Sequence, residues 1–206
     1  MLRIWGRLSS ANVQKVVWMA GEVGQGFERV DVGGPFGGLD TAEYGALNPN
    51  RQIPVLQDGD LTLWESQTIT RYLAARYGGE DWWEADPARR ALQERWMDWM
   101  LSELQPALAP VLFGVVRKLP GHTEPEQIAA GVRRSEAKIA ILEAELQRRP
   151  FLAGERPGIG DITVGCGVHR WLNMPVERAA RPAVERWYAA LIARPAAASA
   201  LPLPVT

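Results

Sequence analysis

The chain has 206 residues, 47% of them hydrophobic and 23% charged, a formal net charge of -1 and one cysteine, Cys166. A near-neutral chain without a Lys/Arg run gives nucleic acid or an anionic membrane no electrostatic hold. A single cysteine excludes an intrachain disulfide and any CxxC redox or zinc motif, so a reducing, cytoplasmic setting is expected. Met1 to Gly6 reads as a strand rather than a secretion signal, and no segment reads as apolar enough to span a bilayer.

Leu2 to Trp5 alternates and is rich in strand formers, which predicts a short strand ending near Gly6. Asn12 to Val23 carries Val13, Val16, Val17 and Ala20 on one helical face, with Ser10 or Asn12 placed to cap the first turn. Phe27 to Val32 is a second strand. A glycine-rich loop, Gly33 to Gly38, precedes a short helix near Thr41 to Leu47. Ile53 to Gln57 and Leu61 to Trp64 flank Asp58-Gly59-Asp60 as a β-hairpin. Glu65-Ser66 opens a helix with Ile69, Tyr72 and Leu73 on one side. The first half is thus β-α-β-α-β-β-α.

The pattern breaks between Gly79 and Pro87, and no strand is expected beyond. Leu92, Trp96, Trp99, Met100, Glu103 and Leu104 fall on a long helix that Pro106 and Pro110 should bend. Ile128, Val132, Ile139, Leu142 and Leu146 mark an amphipathic helix. Ile162 to Leu172 is apolar on nearly all sides, and Pro182 to Ala193 is a helix before a Pro/Ala-rich tail. An α/β half followed by an all-α half predicts two domains: residues 1–78, a linker over 79–87, and residues 88–206.

Three segments of the first half carry chemistry. A hydroxyl or amide in Ser9-Ser10-Ala11-Asn12, between strand and helix, faces a position where the helix dipole favours an anion. Pro54, opening a strand after Gln52-Ile53, is a candidate cis-proline that turns the preceding backbone towards a ligand. Glu65-Ser66, at a strand-to-helix turn, offers a carboxylate for an amine, and a hydroxyl with free amides for a carboxylate. Each alone reads as an ordinary cap, a trans proline or a first-turn acid; their order and spacing give them weight together.

Across nearly its whole length the chain resembles bacterial-type glutathione transferases. The motifs that carry the likeness are Ser-Ser-Ala-Asn-Val-Gln-Lys-Val (9 to 16), Asn-Pro-Asn-Arg-Gln-Ile-Pro-Val-Leu (48 to 56) and Leu-Trp-Glu-Ser-Gln-Thr-Ile-Thr-Arg-Tyr-Leu (63 to 73). Arg95 to Trp99 and Leu152-Ala153-Gly154 with Asp161-Ile162 add weaker matches. The resemblance implies a thioredoxin-like domain binding glutathione and an all-helical domain holding a second, apolar substrate. It places the Ile53 backbone and a cis Pro54 on the cysteinyl part of glutathione. Glu65 and Ser66 fall on the γ-glutamyl end, and Arg51 or Gln52 on the glycine end. For the thiol it implies Ser10 as donor with Asn12 assisting, whereas alignment to the zeta-type Ser-Ser-Cys pattern selects Ser9. Trp96, Trp99 and Glu103 would wall the substrate pocket, and a homodimer is implied.

Lowering a thiol from about 8.5 by two units takes about 2.7 kcal/mol. A hydroxyl donating to a charged acceptor supplies about 1.5–3 kcal/mol, and a helix N-terminus about 0.3–1. The absence of cysteine from the first half argues against mixed-disulfide chemistry. Peroxidase, disulfide-reductase or purely binding roles use the same residues and stay open. His122 and His169 lack metal-ligand company, so no metal is expected. Cys166 and most of the nine tryptophans read as core. Gly158 stands where the family carries a Ser or Thr helix cap three residues before Asp161.

Overall fold

The computed structural model describes residues 1–206, which form two compact units. The first comprises Met1–Ala85 together with Pro195–Pro202. Its sheet has the order β2-β1-β3-β4. β1 (Leu2–Trp5) runs parallel to β2 (Phe27–Val30) and antiparallel to β3 (Val55–Asp58), which pairs antiparallel with β4 (Leu61–Trp64). Gly59, at φ 59°, stands first in the two-residue loop between β3 and β4, a left-handed position that glycine adopts without steric cost.

α1 (Ala11–Glu22) packs against β1 and α3 (Ser66–Tyr77), and its valines are fully or nearly fully buried as the 3.6-residue spacing predicts. Lys15, Trp18 and Met19 are buried as well, and the Pro/Ala-rich tail forms α10 (Pro195–Ala200), which packs on α1. A Cβ added at Gly21 would lie 2.9 Å from the Ala196 methyl, so these helices meet backbone to backbone. α2 (Ala42–Leu47) and a single helical turn, α4 (Gly79–Trp82), complete the unit.

The second unit is Asp86–Arg194 with Leu203–Thr206. α5 (Pro87–Trp99) and α6 (Gln105–Val111) belong to one continuous rod interrupted by two wider π-helical turns, Met100–Leu104 and Leu112–Val116. The N–H groups of Gln105 and Arg117 reach back five residues, to the carbonyls of Met100 and Leu112. Prolines 106 and 110 donate nothing to the four-residue ladder, and Pro106 crowds the carbonyl of residue 102, inside the first widened turn, so the rod widens there instead of breaking.

By length and mean hydropathy (1.3) this Pro87–Val116 rod is apolar enough to cross a membrane, which corrects the expectation that no segment is. A core helix meets the same criterion, and here Met97, Met100, Leu104 and Val111 are almost fully buried within the unit. α7 (Pro125–Leu146) packs along α6. α8 (Ile159–Asn173) packs along α5 and is buried on nearly all sides, Cys166 included, and α9 (Pro182–Ile192) lies against α7 and α8. The tryptophans depart from expectation: only Trp18, Trp96, Trp171 and Trp187 of the nine are buried, and Trp64 is exposed.

Asp161 organises the second unit. Its carboxylate, fully buried, accepts from Leu152 N (2.9 Å), Gly158 N (2.9 Å) and Trp187 Nε1 (2.7 Å). Burial pushes the Asp161 carboxyl up to about 6 even though the three donors pull the other way. Gly158 caps α8 without a side chain, and Asp161 closes the turn from the inside.

Candidate active site

The sheet register brings the three chemistry-bearing segments of the first unit to one edge. Trp5 pairs with Val30 and with Val55, and Val55 pairs with Trp64. The loop after β1, the loop before β3 and the turn after β4 therefore emerge side by side. Gly6 N donates to Val30 O (2.8 Å) and Arg7 N to Val32 O (3.1 Å), which carries the first loop along β2. At Gly6 (φ 143°) a Cβ would lie 2.5 Å from Val13 Cγ2 and 3.2 Å from Ile53 Cβ, so only glycine lets these loops close on each other.

Ser10 occupies the N-cap of α1 in extended conformation, but its hydroxyl makes no cap bond and no other hydrogen bond within the chain. That leaves Ser10 Oγ available beside the unpaired first-turn amides. Ser9 is engaged: Arg7 Nη1 donates to Ser9 Oγ at 2.7 Å. Asn12 Oδ1 accepts from Lys15 Nζ at 2.9 Å. Arg7 and Lys15 went unread in the sequence, although the i, i+3 spacing of Asn12 and Lys15 places them on one helical face.

In the second segment the Ile53–Pro54 peptide is cis. Gln52 O accepts from Tyr44 Oη and from Asn48 Nδ2, both at 2.8 Å, from successive turns at the end of α2. Burial raises the Tyr44 phenol to about 12, which keeps it a donor. The peptide that leads into Ile53 is thus pinned at its carbonyl by two donors. Arg51, at φ 53°, turns its Nη1 onto the carbonyls of Leu39 (2.7 Å) and Thr41 (2.9 Å), bracing the loop before α2. Gln52 is exposed. Tyr44 and Asn48 escaped sequence reasoning, yet their i, i+4 spacing on a short helix is the signal that would have found them.

In the third segment Glu65 is the N-cap of α3 at φ 72°, a left-handed conformation uncommon outside glycine, and its side chain makes no cap bond. Ser66 is buried, and its carbonyl accepts from Thr70 Oγ1 (2.8 Å) while its hydroxyl makes no hydrogen bond within the chain. A carboxylate, a hydroxyl and the open amides of a three-turn helix therefore face one place, which suits a ligand carrying both an amine and a carboxylate.

In the second unit Trp96 and Trp99 meet edge to face, ring centroids 5.3 Å apart, and Trp96 Nε1 donates to Leu152 O (2.9 Å). They line a cavity of about 300 Å³ with Arg95, Ile141 and Glu145. Glu103 is not brought together with them. It accepts from Lys138 Nζ (2.5 Å) and lines a separate groove with Pro106 and Arg134. The two hollows follow each other along one face of α7, which gives Ile141 and Glu145 to the first and Arg134 and Lys138 to the second, so Glu103 lies further along the rod than the tryptophan pair.

A mixed β-α-β-α-β-β-α domain with an anion-receptive helix entrance on either side of a cis-proline, joined to an all-helical domain, defines a glutathione-transferase architecture. Residues 1–75 match the glutathione S-transferase N-terminal domain and residues 125–190 the glutathione S-transferase C-terminal domain. The chain is 38% identical to the glutathione S-transferase GstB of Escherichia coli, over all of both chains. It superposes on the theta-class glutathione S-transferase of Xanthomonas axonopodis pv. citri, a crystal structure with glutathione bound, with TM-score 0.94 and 43% identity, covering 100% of this chain and 99% of that one. It is also similar to glutathione S-transferase I from maize, solved with an atrazine glutathione conjugate (25% identity, 97% and 96% coverage, TM-score 0.87). The chain belongs to the glutathione S-transferase family and is a glutathione transferase.

Proposed function

We propose that glutathione lies along this sheet edge and that its thiol, ionised at the entrance of α1, attacks an apolar electrophile. Glu65 takes the γ-glutamyl amine, and Ser66 with the first amides of α3 takes the γ-glutamyl carboxylate. The Ile53 backbone pairs with the cysteinyl unit, and Gln52 rather than the loop-bracing Arg51 reaches the glycine carboxylate. Ser10 donates to the thiolate, with Asn12 assisting and Ser9 as the alternative donor. The observation that carries this reading is the register Trp5–Val55–Trp64, which lines up an unused hydroxyl (Ser10), a pinned backbone (Ile53) and an open helix entrance (Glu65-Ser66) at one edge. Glutathione bound to the Xanthomonas relative supports it.

Once ionised, the thiolate supplies the electron pair for the new bond to sulfur, and the electrophile releases its leaving group or takes up a proton from water. Trp96 and Trp99 supply apolar, aromatic surface for that second substrate; Glu103 is left out by its place on another groove. The enzyme acts in the cytoplasm as a homodimer. Exposed Leu61 and Trp64 on β4, with Leu92 and Leu101 in the helical unit, are apolar surface for a second copy to cover.

The test is calorimetric titration of glutathione into the wild type and Glu65→Ala/Ser66→Ala, with turnover measured against aromatic electrophiles, hydroperoxides and mixed disulfides. The folded double variant should bind glutathione at least roughly tenfold more weakly, the loss of a charge-assisted contact. Unchanged affinity would remove the site assignment.

A further inference from the structure

Lys15 has a fully buried side chain, which is rare for lysine and costly unless the ammonium is well held. It points back along α1 towards the helix entrance, as long helical side chains do, and Nζ reaches Asn12 Oδ1 at 2.9 Å. An ammonium has only donors. The Asn12 atom that meets it must therefore be the carbonyl oxygen, which fixes an amide orientation that is ordinarily ambiguous. Asn12 Nδ2, on the opposite side of the amide, donates to no group of the chain. Asn12 is only part-buried, in the first turn of α1, two residues from Ser10.

We infer that Lys15 is a positioning residue for thiol activation: it holds the Asn12 carbonyl so that the Asn12 amide N–H₂ is presented to the glutathione thiolate. This rests on the reading that the thiol is ionised at the α1 entrance. Without Lys15 the amide rotates freely, and half of its orientations set an oxygen lone pair against the sulfur. With Lys15 the amide is a donor before the ligand arrives, so no reorganisation is needed as charge develops on sulfur. Lys15 itself need not touch glutathione.

The experiment reads the pH dependence of thiolate ultraviolet absorbance in the glutathione complex, together with kcat and KM, for Lys15→Met, Asn12→Ala and their combination. Methionine matches the lysine stem without the charge. Each single variant should raise the thiol pKa by about one unit and lower kcat at neutral pH about tenfold, with glutathione affinity little changed. The double variant should be no worse than either alone, because both remove one interaction. An additive double variant would overturn the inference, since Lys15 would then act through its charge independently of Asn12. A shift in Asn12→Ala without one in Lys15→Met would overturn it too.

Asn12→Asp guards against a misfolded Lys15→Met, because it keeps Lys15 paired while replacing the donor by an anion. It should raise the thiol pKa more than Asn12→Ala does, and an unchanged value would show the amide facing elsewhere. Should none of Ser9→Ala, Ser10→Ala and Asn12→Ala move the thiol, the activation reading itself fails; should Ser10→Ala alone move it, only the role of Lys15 and Asn12 fails.

Discussion

Asp161→Asn should destabilise the helical unit in a pH-dependent way that no surface charge would mimic. Oδ1 accepts two of the three buried donors, Leu152 N and Trp187 Nε1, and Oδ2 accepts the third, Gly158 N. The substituted amide keeps an oxygen for the first two but opposes Gly158 N–H with an N–H₂, and the flipped amide does worse by opposing two donors. One charge-assisted bond of about 1.5–3 kcal/mol is lost and a buried donor left unpaired, partly offset by no longer burying a charge. A net loss of about 2 kcal/mol at pH 7 follows, or about 4–8 °C in Tm for a chain of this size.

The sign of the pH effect follows from the raised carboxyl. With a folded value of about 6 above an unfolded value of about 3.9, the folded protein binds this proton more tightly. The wild type therefore gains stability from this group as pH falls through 6 towards 4, and loses it as pH rises through 6. The amide variant has no such proton. The stability gap between wild type and Asp161→Asn should widen by about 1 kcal/mol between pH 7 and pH 5, while all other titrations cancel in the difference. Urea unfolding followed by tryptophan fluorescence at pH 5, 6, 7 and 8 measures it. A gap below about 0.5 kcal/mol at pH 7, or one that narrows on acidification, would refute the account of Asp161.

Ser10→Ala should raise the bound thiol pKa and lower kcat at neutral pH about tenfold to a hundredfold, with little change in glutathione affinity; absorbance titration reads it, and a shift confined to Ser9→Ala would transfer the role to the hydroxyl that Arg7 holds. Two glycines of α8 should respond differently to alanine. At Gly160 a Cβ would lie 2.8 Å from Gln93 backbone O, which cannot swing away, so Gly160→Ala should cost about 1–3 kcal/mol. At Gly167 it would meet the flexible end of Met100 at 2.7 Å, and the helix gains about 0.5–1 kcal/mol from losing a glycine, so Gly167→Ala should unfold near the wild-type urea midpoint.

Most of the first unit was legible because its periodicities are short and local: Val13, Val16, Val17 and Ala20 name their own face, and Asp58-Gly59-Asp60 marks the hairpin. Ser9, Ser10, Asn12, Ile53, Pro54, Glu65 and Ser66 were legible as candidates since each sits at a strand end or helix start. What escaped was side-chain partnership. Arg7 beside Ser9, and Tyr44 and Asn48 one turn apart on the Gln52 carbonyl, are close in sequence, but no residue type names its partner, and Lys15 reads as a solvent-facing lysine until its burial is seen. The π-helical turns escaped for another reason. The one at Met100–Leu104 relieves a conflict between Pro106 and a rod that packing keeps helical, and propensity registers only the proline.

The covering of α1 by α10 has a consequence for synthesis. A nascent chain emerges from the ribosome in order, and a domain contiguous in sequence can fold while the next is still being made. Here the segment that packs on α1 is encoded well after the sheet it completes, with all of Asp86–Arg194 between. Until Ala200 has emerged, the small-residue face of α1 at Gly21 stays open to water, or to a chaperone that holds apolar surface. The first unit is begun before the helical one and completed only after nearly all of it has been made.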